Sequence, residues 1–324
     1  MAAGSTVLPV RTSKRRRGDH HRPRARYHVA AVSHRRKAGA LQMISRPTPS
    51  HTFHRLFIHA ALLVTCFATI FPLLWMVTAA FTPNDLILAK AVRFWPDDPT
   101  LSNFMIAASR HPIWIWLWNS FLTATLITIG KLILAVPAGY AFGRMEFPGR
   151  QALFWFIIAT MSFPTVIAII PTYIAVVKLQ AVDSYGAMII PSIPYIGFYV
   201  FYMRQAFRSL PSSIFEAAKI DGANLWRQFI EIAVPNVIPA IAALSVISFM
   251  GAWNIYLWGQ LVLDDAFKKT LTTGIATFAD LEGADRAWGP LMATSLLSIL
   301  PVLLVFLSAQ RFIVDALAPG IDEK

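Results

Sequence analysis

The sequence has one cysteine, Cys66, in 324 residues. A single thiol builds neither a disulfide framework nor a cysteine-based metal site, and within its apolar run Cys66 reads as a small packed hydrophobe. Charge is also scarce, at 14% of residues, where a soluble domain carries about 25%. The nucleotide and hydrolase signatures are missing. There is no G-x-x-x-x-G-K-[ST], because Gly130-Lys131 runs into Leu132 with no glycine five positions upstream, and no dinucleotide fingerprint, H-E-x-x-H or G-x-S-x-G. No paired acids, nucleophile–base set or histidine spacing stands in their place; His59 and His111 have no partner. These gaps leave no candidate catalytic or metal-binding residue and no means for this chain to hydrolyse a nucleotide.

What the sequence has in abundance is apolar length: 56% of residues are hydrophobic. The net charge of +12 is local. Residues 1–55 hold thirteen Lys and Arg against Asp19 alone, and the remainder holds sixteen of each sign. The basicity therefore belongs to a tail and not to a nucleic-acid-binding face, and no nucleic acid is expected as a partner. Residues 1–50, rich in Arg, His, Pro and Ser without an apolar period, read as a disordered cytoplasmic tail. The tail is not a signal peptide, since the first apolar run starts too late and is too long. Met43 is an alternative start.

A spanning helix needs about 20 mostly apolar residues. Six segments qualify, at 56–81, 115–142, 152–177, 187–207, 236–262 and 288–312, and none contains Asp or Glu. They lack period-two alternation, so they read as helices and not barrel strands. The fold class expected for residues 51–324 is an all-α polytopic membrane protein with six transmembrane helices. Arg144 and Arg150 between spans two and three, and Arg208, Lys219 and Arg227 between spans four and five, join the basic tail on one side. The positive-inside rule then places both termini in the cytoplasm. Pro137, Pro164, Pro171, Pro191, Pro194 and Pro301 fall within spans, where proline removes a donor and bends the helix. The pair Pro191 and Pro194 is the best candidate for a broken helix lining a pathway.

Two features stand out from this framework. Lys131, near the middle of span two, has no intramembrane acid in this chain to pair with. An intramembrane charge marks function by default, and its counterpart is an acid on another subunit, backbone carbonyls, water or an anionic substrate. The second feature is the loop 210–235, LPSSIFEAAKIDGANLWRQFIEIAVP. Ser213 and Glu216 have capping-box spacing, which predicts a helix starting at Ser213. Gly222 suits the left-handed turn that ends it, Asn224 caps a second helix, and Pro235 closes that one.

This loop resembles the EAA loop of binding-protein-dependent ABC importers. Glu216, Ala217, Ala218, Gly222, Ile232 and Pro235 fall at the family spacing, with Asp221 beside the glycine and Val234 in place of the usual Leu. Residues 138–150 (AGYAFGRMEFPGR), 253–258 (WNIYLW) and 288–312 are similar to the carbohydrate-uptake branch of maltose-type permeases. The resemblance implies that the loop is a coupling helix on a cytoplasmic ATPase, with small Ala217, Ala218 and Gly222 allowing close approach and Glu216 holding the loop or meeting the ATPase. It implies a heterodimer with a sister permease, two ATPase subunits that bind ATP and Mg, an extracytoplasmic solute-binding protein, and residence in the bacterial inner membrane among its lipids. The transported class implied is a sugar or related polyol, with Lys131 resembling the glycerol-phosphate permeases of that branch. Sugar recognition combines aromatic faces with amides and hydroxyls, so Asn119, Tyr195, Trp253, Asn254 and Tyr256 join Lys131 as pathway candidates. The rival, an ion-coupled secondary transporter, would need intramembrane acids that this chain lacks.

Overall fold

The computed structural model describes residues 49–87, 95–279 and 287–317, so the tail 1–50 lies almost wholly outside the described residues. Among the described residues the regular elements are helical and no strand forms, in agreement with the all-α expectation. The chain parts into two units inside helix α1 (Pro49–Phe81), between Phe67 and Ala68. In the first unit residues 54–67 stand exposed, Leu62 and Leu63 among them, as suits a helix whose solvent is lipid.

The second unit holds the remaining helices: α2 (Ser102–Arg110), α3 (Ile113–Arg144), α4 (Arg150–Thr160), α5 (Thr165–Lys178), α6 (Tyr185–Ile189), α7 (Gly197–Ser209), α8 (Ser212–Ile220), α9 (Leu225–Asn236), α10 (Ile238–Trp253), α11 (Leu257–Val262), α12 (Leu271–Ala279) and α13 (Trp288–Leu317). Three stretches are long and apolar enough to cross a bilayer unbroken: His54–Phe81, α3, and Trp288–Gln310 of α13. Three bent pairs are long and apolar enough when taken together, α4 with α5 at 92°, Tyr185–Ser192 with α7 at 50°, and α9 with α10 at 74°. Counting each pair once gives the six expected.

The breaks correct the sequence reading of spans three and five, drawn as continuous; the break in span four falls at Pro191 and Pro194, where a broken helix was expected. Between α4 and α5 the chain leaves the helix over residues 161–164, and Pro164 caps α5. Proline has no amide to donate and disfavours helical geometry at the residue before it. Pro191 and Pro194 produce the second break, through the 3-10 turn Ile190–Ser192. The fifth span was expected over 236–262. Its straight part is α10, which joins α9 of the 210–235 loop across a bend at Val237 just before Pro239 and ends at Trp253; residues 254–256 are not helical, and α11 follows. Hydropathy averages across such breaks and cannot locate them.

Helix α3 is the axis of the second unit, with α7 and α10 against it, α13 against α10, and α2 and α12 against α13. Small residues set the close contacts, as in other membrane bundles. A Cβ on Gly139 would collide with the Met203 Cβ and lie 3.0 Å from the Arg204 backbone nitrogen. Around one end of α3, Tyr140, Phe142, Tyr199, Val200, Met203, Phe207 and Phe215 form one buried cluster; around the other, Ile113, Trp116, Ala124, Phe249, Trp253 and Phe278 form a second.

The loop 263–270 is tied down from α3 and from the turn at Asp183. The Trp116 indole donates to the Ala266 carbonyl at 2.6 Å, Asn119 Nδ2 donates to the Phe267 and Lys269 carbonyls, and the Ser120 hydroxyl accepts from the Leu271 amide at 2.7 Å. Asp183 accepts from Lys268 Nζ at 2.7 Å and from the Asp264 and Asp265 amides. The Lys268 hydrogen bond, then those from the backbone, hold the Asp183 carboxyl below the usual aspartate range. A carboxylate depressed on folding stabilises above its unfolded-state pKa and stops doing so as pH falls through the folded value. Asp183→Asn is therefore expected to lower the Tm of the detergent-solubilised protein at neutral pH. The gap from wild type should close as pH falls below the ordinary carboxylate range; a constant gap would remove the ion pair as its cause.

Candidate functional site

Two of the helix breaks, the non-helical turn 254–256 after α10 and the intramembrane lysine converge on one cavity of about 390 Å³. Thr165 and Thr172 come from α5 behind the Pro164 break, Ser192 and Tyr195 from the Pro191–Pro194 break, and Tyr256 and Trp258 from the 254–256 break and the start of α11. Lys131 projects from α3 into the same space. This convergence has a physical reason. Non-helical backbone at membrane depth is tolerated only where it is buried in protein or lines a polar cavity. Lys131 Nζ stands 5.1 Å from the centroid of the Tyr199 ring, a cation–π distance. No acidic side chain lines the cavity among the described residues.

Of the six sequence-derived pathway candidates, the cavity brings together Lys131, Tyr195 and Tyr256. Asn119 does not join them. It is 2% exposed, holds two carbonyls of the 263–270 loop and accepts from the Tyr185 hydroxyl at 2.8 Å. Trp253 is in the core, with its indole facing Ser298 Oγ at 3.4 Å. Asn254 donates to the Met250 carbonyl at 2.8 Å and finishes α10. The sequence reading passed over Thr165, Thr172 and Ser192, since serine and threonine in an apolar run have no distinguishing spacing. Only the position of a helix break beside a proline marks them.

The second site is the loop 210–235. Helix α8 runs over Ser212–Ile220 with Pro211 at its N-cap and no side-chain cap, so the expected Ser213–Glu216 capping box does not form. Pro211 fixes the turn without one, and Glu216 stands exposed. Gly222 adopts φ +79 and a Cβ there would meet nothing within 4 Å, so backbone geometry selects the glycine while the space beside it stays open. Asn224 caps the next helix, its side chain accepting from the Arg227 amide at 2.8 Å, as the spacing predicts. That helix passes through a π segment, Gln228–Ala233, and continues beyond Pro235 to Asn236, so Pro235 does not close it.

The loop is fastened by a residue that the sequence reading used for topology and within the 138–150 motif, but not as a contact. Arg144, the last residue of α3, donates from Nε to the Phe207 carbonyl at 2.7 Å and from its Nη atoms to the Leu210 carbonyl and Ser212 Oγ. Its guanidinium carbon sits 4.6 Å from the Phe215 ring centroid. Gln228, itself buried, donates to the Ala223 carbonyl at 2.7 Å. Ala218 and Phe215 face inward, and Ile232 packs against the core. Ala217, Asp221 and Pro235 are exposed. At the tip Ile220 is 87% exposed and Trp226 67%, with Leu225 beside them. Large apolar side chains presented together on a loop of polar surroundings mark a contact surface.

Comparison with known proteins covers most of the chain. Residues 135–319 match the family model described as the binding-protein-dependent transport system inner membrane component. The chain is 35% identical over 269 residues to the sn-glycerol-3-phosphate transport system permease protein UgpE of Pectobacterium atrosepticum, covering 81% of this chain and 95% of that one. It is 30% identical over 263 residues to the diacetylchitobiose uptake system permease protein NgcG of Streptomyces coelicolor, covering 81% and 87%. The fold matches a chain of a bacterial ABC transporter involved in the import of alginate, with a TM-score of 0.73 at 20% identity over 82% of this chain and 98% of that one. With the matched family segment spanning the central helix end, the loop 210–235 and the last two membrane spans, this chain belongs to the inner membrane components of binding-protein-dependent transport systems.

Proposed function

We propose that this chain is the permease subunit of an ATP-driven importer, carrying one half of a pathway for a sugar or related polyol. The observation that carries this reading is the loop tip. Ile220, Leu225 and Trp226 are exposed around a left-handed Gly222 with open space beside it, on a scaffold that Arg144 joins to the central helix. A loop so held passes a push at its tip to α3 and α7, and through α9 to α10. We assign the tip to a groove on a cytoplasmic ATPase, with Glu216, Ala217, Asp221 and Gly222 at or near the contact. Ala218, Ile232 and Pro235 shape the loop from behind. ATP and Mg belong to that partner. ATP drives transport by binding one global state of the assembly better than the other.

Family membership supports the importer over an ion-coupled secondary transporter. The relatives' names supply the solute class: a polyol phosphate in one case, an amino-sugar disaccharide in the other. The assembly we propose has a sister permease, two ATPase subunits and an extracytoplasmic binding protein, with both termini of this chain in the cytoplasm and residues 1–50 outside the transport domain. A tagged copy purified from its native membrane is expected to bring down an ATP-hydrolysing subunit in stoichiometric amount. Recovery of an active transporter lacking any ATPase would end the reading.

A further inference from the structure

The cavity carries information about charge that family membership does not, because relatives of similar identity carry both an anionic and a neutral solute. We propose that the solute passing this chain is an anion bearing a phosphate or carboxylate on a hydroxylated skeleton, and that Lys131 is the residue that selects it. The inference rests on the importer reading above and adds the charge of its substrate.

Three observations carry it. Among the described residues Lys131 is the only charged side chain lining the cavity, and it comes from the middle of an unbroken 32-residue spanning helix. A cation at that depth costs roughly 2.5–3.5 kcal/mol on insertion scales, and an intramembrane charge marks a functional site by default. No acid lines the cavity among the described residues, and the group near the ammonium is the Tyr199 ring. A ring face lowers the cost of the charge without occupying its hydrogen-bond donors, which stay available to a ligand. Apart from the Trp258 indole, which donates to the Ala187 carbonyl, the rest of the polar lining is hydroxylic: Thr165, Thr172, Ser192, Tyr195 and Tyr256. Thr172 and Ser192 give their protons to the Ala168 and Met188 carbonyls and offer lone pairs, and Thr165, Tyr195 and Tyr256 can both donate and accept, as sugar or polyol hydroxyls require, whereas an ammonium only donates and prefers a full negative charge. A neutral solute would leave Lys131 desolvated and unmatched, so the same side chain that attracts the anion rejects its uncharged analogue.

The test is uptake by cells expressing the complete importer, with sn-glycerol 3-phosphate as the anionic probe and diacetylchitobiose as the neutral one. Wild type is expected to take up the anion in preference. Lys131→Met keeps the apolar stem and should cut anion uptake by about tenfold or more, the worth of one charge-assisted hydrogen bond. Assembly of the subunits, followed by co-purification, should be unchanged. Lys131→Arg should restore much of the uptake. Anion uptake by Lys131→Met within about twofold of wild type, less than one such bond is worth, would overturn the proposal, as would wild-type preference for the neutral disaccharide. Loss of assembly in Lys131→Met would also overturn it, by showing that the cation pairs with an acid on another subunit. In all three cases an ATPase that still co-purifies with the wild-type chain leaves the importer reading standing, and only the absence of that ATPase defeats the reading itself.

Discussion

Gly222→Asp is expected to reach the membrane in normal amount and to reduce uptake to background. The backbone there has φ +79, a conformation that costs most residues about 1–2 kcal/mol and that Asp and Asn tolerate better than others. A Cβ at this position meets nothing within 4 Å in the isolated chain, so the substitution fits the fold. The harm falls on the partner, where a carboxylate enters the place that the exposed Ile220, Leu225 and Trp226 prepare for an apolar contact. Gly222→Asn serves as the control, equally tolerant of the turn and uncharged, and should retain part of the activity. Equal and near-normal uptake by both variants would show that nothing docks at the turn.

The second large effect is expected at Arg144. Its guanidinium spans the end of α7 and the start of α8, through the Phe207 and Leu210 carbonyls and Ser212 Oγ, while lying over Phe215. Met at this position keeps length and stem but leaves two carbonyls without their donor, and each charged hydrogen bond lost is worth about 1.5–3 kcal/mol. The loop should lose its fixed angle to α3, and uptake should fall by tenfold or more, in line with those losses, with the protein still inserted. Lysine should not rescue, because a point charge cannot bridge three acceptors as a planar fork does. Limited proteolysis would check the cause: the 210–235 segment should become cleavable in Arg144→Met while the rest resists. Full uptake and unchanged proteolysis would remove Arg144 as the fastener.

Legibility in the sequence followed the range of each signal. Apolar length is a local property, and it placed six spans where the structure has three straight helices and three bent pairs. Gly222 and Asn224 were readable because a left-handed turn and an N-cap depend on the residue itself. The capping box failed although its spacing was right, since Pro211 had already set the turn and no side-chain cap formed. Asn119 and Trp253 were chosen for their chemistry, but which side of a spanning helix they occupy depends on packing between helices distant in sequence. Asn119 answers to carbonyls some 150 positions away. Arg144 was invisible as a fastener for the same reason, its partners lying 63 to 68 positions on. Lys131 needed no such information, because a lone charge in an apolar span is conspicuous whatever packs around it.

The central claim is that the tip of the 210–235 loop is the contact through which ATP hydrolysis moves this chain. The most direct measurement is site-specific cross-linking in the membrane of the assembled importer. Cys66 is the only cysteine; with Cys66→Ser as background, Trp226→Cys provides a single reporter at the tip. The account predicts a cross-link from Trp226→Cys to the ATP-hydrolysing subunit, in a yield that changes when ATP is bound. A Trp226→Cys reporter that stays free, or that links only to other subunits, in an importer that still hydrolyses ATP and transports would contradict it.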